Sequence, residues 1–443
     1  MVKNLNIIKR DGSIVKFNKC KIEDAILKAM KYGSGIYEEE IAKKIADEIE
    51  ISCFEKENSP TVYQVENMVY NKLIEYKHEL TAKAYEGYRA VQSFKREVNT
   101  TDDSIIGLLN KTNEEVINEN SNKNGILAST QRDLIAGEVS KDISRRKIIP
   151  AHIVHAHDEG VLHYHDMDYA MQSIHNCMLI NLEDMLQNGT VINNKLVESP
   201  KSFSTACTID TQIIDKIDSG QYGGNTITIR HIAPFLRVSY NKYFNKYKEK
   251  YSEEMAHELA EDRMLEELKS GIQTIRYQLS TLHTSNGQSP FSTIYLEIEE
   301  GHEYEREMAL ICEEMINQRL EGMKNHKGQQ IGEEFPKLVY LLDEHNCLEG
   351  GKYDYITKLA AKCNTKRLVP DYQSAKIMRR NYEGSTFPPM GCRSHLSPWK
   401  DENGNHKWYG RFNQGVISLN LVQVALTANK DMDKFWEILD ERL

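Results

Sequence analysis

No CxxC pair occurs in this 443-residue chain, and no two of its eight cysteines (Cys20, Cys53, Cys177, Cys207, Cys312, Cys347, Cys363 and Cys392) lie within four positions of each other. That excludes a short redox dithiol and a zinc knuckle, so any joint thiol chemistry must come from cysteines that the fold brings together. Long apolar runs are missing as well. No stretch of about 18 apolar residues exists to span a bilayer. The start, MVKNLNIIKRDG, turns polar almost at once and has no signal-peptide core. The expectation is a cytoplasmic chain with reduced thiols and no membrane contact. Positive charge is in deficit: 56 Lys and Arg against 66 Asp and Glu leave a net charge of −10. A surface of that sign argues against direct nucleic-acid binding, while leaving room for a local basic pocket that holds a small phosphorylated ligand. Internal repeats and low-complexity tracts are absent too.

What is present is the balance of a globular protein, 40% hydrophobic and 28% charged. The length suits two or three domains. NIIKRDGSIVKFN reads as two short β-branched runs joined by Arg10-Asp11-Gly12, a hairpin signal. Three helical patterns follow, with Ile41, Ile45 and Ile49 on one face of the second and Ser59-Pro60-Thr61 opening the third. A last helix carries HELTAKAYEGYRAVQSFKRE. Together these make a compact α+β unit over residues 1–95. Residues 96–125, rich in Asn, Thr, Asp and Glu, have a linker composition. From 126 to 443 short apolar strands alternate with helices: CMLINL (177–182), GNTITIR (224–230), STIYLEI (292–298), KLVYLL (337–342) and GVISLNL (415–421), each expected to be a buried strand. That alternation predicts a large α/β domain.

Several residues could carry chemistry, and each also has a plain structural reading. Lys9, Arg10, Lys16, Asn18 and Lys21 converge on one hairpin and the helix start after it, which suits a triphosphate site or simply a solvated basic hairpin. His163 and His165, with Asp166, could ligate a metal or form a hydrogen-bonded helix-to-strand junction. Cys177 heads an apolar strand and reads as a buried small hydrophobe or a working thiol. Gly223-Gly224 could be only a tight turn. Cys392 differs in that Pro388, Pro389 and Gly391 stiffen and kink the loop that bears it, which suits preorganised chemistry.

The N-terminal stretches IKRDGSIVKFNKCKIEDAILKA, TVYQVENMVYNKL and TAKAYEGYR resemble the ATP-cone domain of ribonucleotide reductases. The resemblance implies ATP and dATP as activating and inhibiting allosteric effectors. Lys9, Arg10, Asn18 and Lys21, with Thr61 and Lys83, would be the binding residues. In the large domain HYHD, the Cys177 strand, YGGNTIT, PPMGCRS and GRFNQGVISLNL occur in the order found in anaerobic, glycyl-radical ribonucleoside-triphosphate reductases, which the chain resembles over essentially its whole length. The implied fold is a ten-stranded α/β barrel, incomplete here, with Cys392 on a central finger loop. Cys392 would become the thiyl radical that abstracts the ribose 3′ hydrogen, and Cys177 would reduce the 2′ position. Asn413 would contact the ribose hydroxyls, which as an uncharged amide it does by hydrogen bonding alone. Met390, Ser394, His163, His165, Gly223 and Gly224 would line the substrate pocket, with no metal held by this chain. Met390 and Asn413 together resemble the formate-dependent subgroup. The implied partners are ribonucleoside triphosphates, formate, a second copy in a homodimer, and a radical S-adenosylmethionine activase.

The resemblance departs at one place. The family's RxxGY-type glycyl-radical segment and its preceding four-cysteine zinc site have no counterpart, since the chain ends at DKFWEILDERL with no cysteine after Cys392. The expectation is the N-terminal part of a longer reductase, unable to turn over alone. Two other readings remain: a nucleotide-binding regulatory module with an inert barrel, and a formate-lyase relative. The latter would carry two adjacent cysteines where Gly391-Cys392-Arg393 has one.

Overall fold

The computed structural model describes residues 5–8, 14–54, 59–112, 123–284 and 287–443, without the side chains of 32 and 88–100. The chain folds as two compact units, Met1–Ser104 and Ile105–Leu443.

In the first unit β1 (Asn6–Ile8) and β2 (Ile14–Lys16) pair antiparallel, Ile7 opposite Val15. Helices Cys20–Ala29, Glu39–Phe54 and Val62–Glu75 follow. Their apolar residues recur every three or four positions, and Ile22, Ile26, Ile45, Ile49, Val65, Val69 and Leu73 meet in one buried core. Helix Glu79–Leu109 runs on through part of the segment read as linker. The polar run VNTTDD suggests a loop, but Ile105, Ile106, Leu108 and Leu109 restore a helical apolar spacing and Leu108 is buried.

The second unit contributes β3 (Leu162–Tyr164), β4 (Met178–Leu179), β5 (Thr190–Ile192), β6 (Lys195–Val197), β7 (Asn225–Thr228), β8 (Ser292–Leu296), β9 (Met323–Lys324), β10 (Gln330–Ile331), β11 (Lys337–Leu342), β12 (Asp371–Ser374), β13 (Arg411–Phe412) and β14 (Ile417–Leu419). Its main sheet has the order β12-β11-β8-β7-β4-β13. The first five of these are mutually parallel and adjacent in chain order, while β13 returns antiparallel beside β4. Parallel neighbours need crossovers, supplied here by helices that include Phe203–Asp218, Ala233–Lys248, Glu253–Thr281, Glu305–Glu321 and Asp354–Arg367.

Strand alternation then splits the sheet into two unlike faces. Ile227, Ile294, Leu296, Leu338 and Tyr340 join the helices in the main core. The alternate positions Thr226, Thr228, Thr293, Tyr295 and Glu297 are also buried, although most are polar. The segment after β12 covers this second face: Ala375 packs with Tyr295, Val339 and Leu341, and Arg393 reaches Thr293 Oγ1 at 3.2 Å.

The described residues form an open six-stranded sheet, so the ten-stranded barrel, expected to be incomplete here, is not closed among them. One expectation is corrected: GVISLNL is not a buried strand of that sheet. It supplies β14, which pairs with β3 in a separate two-stranded sheet and leaves Ile417 61% exposed. No described helix is long and apolar enough to cross a membrane.

Candidate functional site

Cys177 sits at the head of β4, 1% exposed, held between two segments distant in sequence. On one side the turn after helix Phe203–Asp218 hydrogen-bonds to it. Tyr222 N–H donates to the His175 carbonyl (3.2 Å), Gly223 N–H to the Asn176 carbonyl (2.9 Å), and Gly224 N–H points to Cys177 Sγ (3.4 Å). On the other side Asn413 brackets the residue: its Oδ1 accepts the Cys177 N–H (2.8 Å) and its own N–H donates to the Cys177 carbonyl (3.0 Å). The two glycines are required by space rather than by an unusual φ. A Cβ on Gly223 would lie 2.5 Å from the Asn176 carbonyl oxygen and 2.8 Å from Cys177 Sγ, and one on Gly224 would enter the Phe291 ring.

Cys392 reaches the same place on a tight turn. The Arg393 N–H donates to the Met390 carbonyl (2.7 Å) and the Met390 N–H to the Ser394 carbonyl (2.8 Å), with Arg393 left-handed at φ 74°. This is the three-residue hairpin pattern, a turn closed by one αL residue, and it puts Cys392 at the tip. Arg393 anchors the tip by donating to Asp371 (Nε to Oδ2, 2.8 Å) and to Thr293. At the base, Phe387 stacks on Trp408 at 3.7 Å, in a buried cluster with Cys177, Leu179, Met390 and Leu396. Gly391 lies directly on Gly224: a Cβ there would be 2.6 Å from Gly224 Cα and 3.0 Å from its carbonyl oxygen.

The result is two thiols, brought together from 177 and 392, close enough for each to shift the titration of the other. The bond from Cys177, helped by Ser394 Oγ at 2.9 Å, pulls the Cys392 thiol below the ordinary range; the same pairing, together with burial, pushes Cys177 up. The pair therefore loses one proton early and the second late. Asn176 Oδ1, 2.9 Å from Cys177 Sγ, is a second acceptor that competes with Cys392 for the one hydrogen of the Cys177 thiol. Such a site can present one exposed, reactive sulfur at a hairpin tip with a buried hydrogen donor behind it.

The structure brings Met390, Ser394, Asn413, Gly223 and Gly224 to the two thiols. His163 and His165 lie apart from them. Both stand at β3, where His165 Nε2 meets Ser418 Oγ at 2.8 Å and the two rings pack edge to face at 4.3 Å. Their neighbours Tyr164 and Asp166 line a cavity of about 280 Å³ with Tyr169, Tyr222 and the backbone of 414–417. In the first unit Lys9 and Arg10 lie outside the described residues. Asn18 Oδ1 accepts the Cys20 N–H (3.0 Å) at a helix start, and Thr61 caps the next helix but one, reciprocally with Gln64. Lys21 and Lys83 are exposed. Three contributors escape the sequence reading: Asn176, Arg393 and the Gly391–Gly224 contact. Only the adjacency of Asn176 to Cys177, and the glycine in each motif, could have signalled them.

Because backbone lies on both sides of the Gly391–Gly224 contact, neither partner can yield cheaply. Gly391→Ala is expected to cost about 1–3 kcal/mol and to lift the hairpin tip off Cys177. Urea unfolding should show a lower midpoint, and peptide mass spectrometry should find Cys177 newly alkylated by iodoacetamide. An unchanged midpoint with Cys177 still protected would show that the contact is not tight.

Residues 119–443 match the family described as anaerobic ribonucleoside-triphosphate reductase, and residues 5–94 match the ATP cone domain. The chain is 37% identical over 450 residues to the anaerobic ribonucleoside-triphosphate reductase of Escherichia coli (strain K12), covering 99% of this chain and 61% of that protein. With the enzyme of the same name from Enterobacteria phage T4 it shares 37% identity over 355 residues, covering 78% of this chain and 57% of the phage protein. The fold is similar to that of the anaerobic ribonucleotide reductase from Thermotoga maritima solved with glycerol in the active site. There the TM-score is 0.53 at 15% identity, over 79% of this chain and 60% of that one. The chain thus spans about three fifths of the length of these relatives. With the family matched over residues 119–443 and 37% identity over nearly its whole length to one of its members, the chain belongs to the anaerobic ribonucleoside-triphosphate reductase family.

Proposed function

We propose that this chain carries the allosteric domain and the thiol-bearing half-barrel of an enzyme that reduces ribonucleoside triphosphates to 2′-deoxyribonucleoside triphosphates without oxygen. The observation that carries the reading is the meeting of Cys392, on a rigid hairpin tip, with the buried thiol of Cys177. As a thiyl radical, Cys392 takes the ribose 3′ hydrogen: the C3′–H bond breaks, an S–H bond forms, and the hydrogen is returned at the end. S–H and C–H bonds of similar strength make this transfer nearly reversible. The 2′ hydroxyl takes a proton and leaves as water, and Cys177 gives its hydrogen to C2′. Formate then returns a hydrogen to the Cys177 sulfur, and its remaining electron, with a proton, reduces the 3′ carbonyl as CO₂ is released. Asn413, whose Oδ1 is taken by the Cys177 N–H, still has amide hydrogen to offer the ribose hydroxyls.

Met390, 1% exposed beside the thiols, and Asn413 support formate as the reductant, so that one formate becomes CO₂ for each ribose reduced. The radical itself comes from a glycyl segment outside these residues, generated by a radical S-adenosylmethionine activase. The zinc site belongs to that further sequence too, and the working form is a homodimer.

Five parallel strands with helices on one face and a buried, largely polar second face support a half-barrel. Further strands would cover Ile417, Leu421, Val422 and Leu426, which are 52–75% exposed. An allosteric domain over residues 1–95 would hold ATP or dATP through Lys9, Arg10, Asn18 and Lys21, with Thr61 and Lys83 nearby, and residues 96–125 would join it to the half-barrel. With the remaining sequence supplied and activated, CTP reduction should release CO₂ from formate in equal amount to dCTP, and residues 1–443 alone should form none. Turnover by the chain alone, or turnover that needs a dithiol and releases no CO₂, would refute this reading.

A further inference from the structure

A buried carboxyl lies behind the turn that holds Cys177, and nothing in the chemistry above uses it. Asp218, the last residue of helix Phe203–Asp218, is 1% exposed. Its Oδ1 accepts from Gln221 Nε2 (2.5 Å) and from Asn225 Nδ2. Those two amides stand at the two ends of the Tyr222-Gly223-Gly224 turn. The Gln221 backbone is bridged to His175, and its Nε2 also reaches the Gly223 carbonyl (3.4 Å). Asn225 opens β7 opposite Met178, the residue after Cys177. One oxygen therefore ties both ends of the turn that touches Cys177 on one side and Gly391 on the other.

Burying a carboxyl is costly unless its bonds do something that apolar packing would not. Here Oδ2 has no partner, and Gln221 Oε1 and Asn225 Oδ1 are unpartnered as well. Burial pushes the Asp218 carboxyl up to about 8, against the pull of its two amide donors. A group kept at this cost has a geometric effect that sequence-local turn residues do not supply, because Gly223 and Gly224 leave the turn without side chains to brace it.

We propose that Asp218 is a positioning residue for the thiol pair: by clamping Gln221 and Asn225 to one carboxyl oxygen it sets the Gly223-Gly224 turn, and through it the separation of Cys177 from Cys392. The proposal rests on the reading of those two cysteines as a working pair. Asp218 does not touch the thiols, so its effect is felt only through the backbone.

The test is anaerobic alkylation of residues 1–443 by iodoacetamide across pH 5–10 (an experimental range of roughly two units about neutral and ordinary thiol values), read cysteine by cysteine by mass spectrometry. The exposed Cys20 and Cys347 serve as internal references. In the wild type Cys392 should titrate below both references while Cys177 stays protected. In Asp218→Leu the Cys392 profile should move up toward the references, and once its midpoint has passed pH 7 its thiolate fraction at pH 7 falls by about tenfold for each further pH unit. Cys177 should then become reactive, with Cys20 and Cys347 unmoved. Asp218→Asn, which keeps the accepting oxygen, should restore the wild-type profile to within about twofold, a rescue that a merely space-filling role for the carboxyl would not require. If Asp218→Leu does not fold, shown by reaction of the core thiols Cys207 and Cys312, then Gln221→Leu removes one arm of the clamp and is expected to move the profile part of the way. A folded Asp218→Leu or Gln221→Leu protein with the wild-type Cys392 profile overturns the proposal. A wild-type Cys392 that titrates like Cys20 would instead overturn the thiol-pair reading beneath it.

Discussion

Replacing Cys392 by serine in the complemented and activated enzyme is expected to abolish deoxynucleotide formation completely. The effect is all or nothing because the hydroxyl O–H bond is much stronger than a ribose C–H bond. A serine cannot hold the radical at an energy from which hydrogen transfer is reversible, and it gives up no hydrogen to a glycyl radical. The substitution is otherwise mild. Cys392 is exposed at a hairpin tip whose closing bonds, Arg393 N–H to the Met390 carbonyl and Met390 N–H to the Ser394 carbonyl, are both main-chain. The variant should therefore fold with wild-type stability. Its nucleotide affinity in the first unit, measured by calorimetry with ATP, should be unchanged, since that unit has its own core. Residual dCTP formation above the level of unactivated enzyme would remove Cys392 from the chemistry. Lost ATP affinity alongside lost turnover would point to misfolding.

A second large effect is expected in the pH dependence of stability. Asp210, in the same helix as Asp218, is fully buried, and neither of its carboxyl oxygens has a hydrogen-bond partner among the described residues. Burial alone pushes it up to about 8. In the unfolded chain a carboxyl gives up its proton near pH 4, whereas in the fold this one keeps it until about pH 8. Between those values the unfolded state binds fewer protons, so the free energy of unfolding falls as pH rises. The full contribution is present below about pH 4 and is lost toward pH 8, at about 1.4 kcal/mol for each unit by which the two values differ. His231, buried and pushed down to about 3, acts in the opposite sense, and only below its unfolded value near 6.5. Over pH 6.5–8 His231 no longer contributes and Asp218, also pushed up to about 8, adds to the same decline, so Asp210→Asn should flatten the decline in part and leave the variant more stable than wild type at the upper end. Chemical denaturation at several pH values measures this directly. Parallel curves for the two proteins would mean that Asp210 is not carried as a neutral acid.

How much of this was legible in the sequence varies with the range of the forces involved. Local periodicity placed the helices of the first unit, because Ile45 and Ile49 or Val65 and Val69 fall on one face whatever lies beyond. The strands at 178–179, 225–228, 292–296 and 337–342 were equally plain, being short apolar runs between helices. Strands such as β12 (Asp371–Ser374) and β13 were not, since DYQS and RF carry no apolar pattern and are strands only because β11 and β4 offer them hydrogen bonds. The linker composition misled for a related reason: polar residues tolerate a helix when its continuation, through Leu108, has something to bury against.

By itself, then, the sequence determined the helical faces, the glycines and prolines that make the two turns, and the ordered set of motifs that marks the family. Only the tertiary structure decided that Gly224 and Gly391 are flat contact surfaces for each other and that Asn413 brackets Cys177. It also put a carboxyl from a helix end behind the turn. The separation between Cys177 and Cys392 depends on long-range backbone packing, where a few tenths of an ångström change the interaction. No spacing along the chain encodes that distance, because it exists only once a sheet edge, a turn and a hairpin tip have closed on one another.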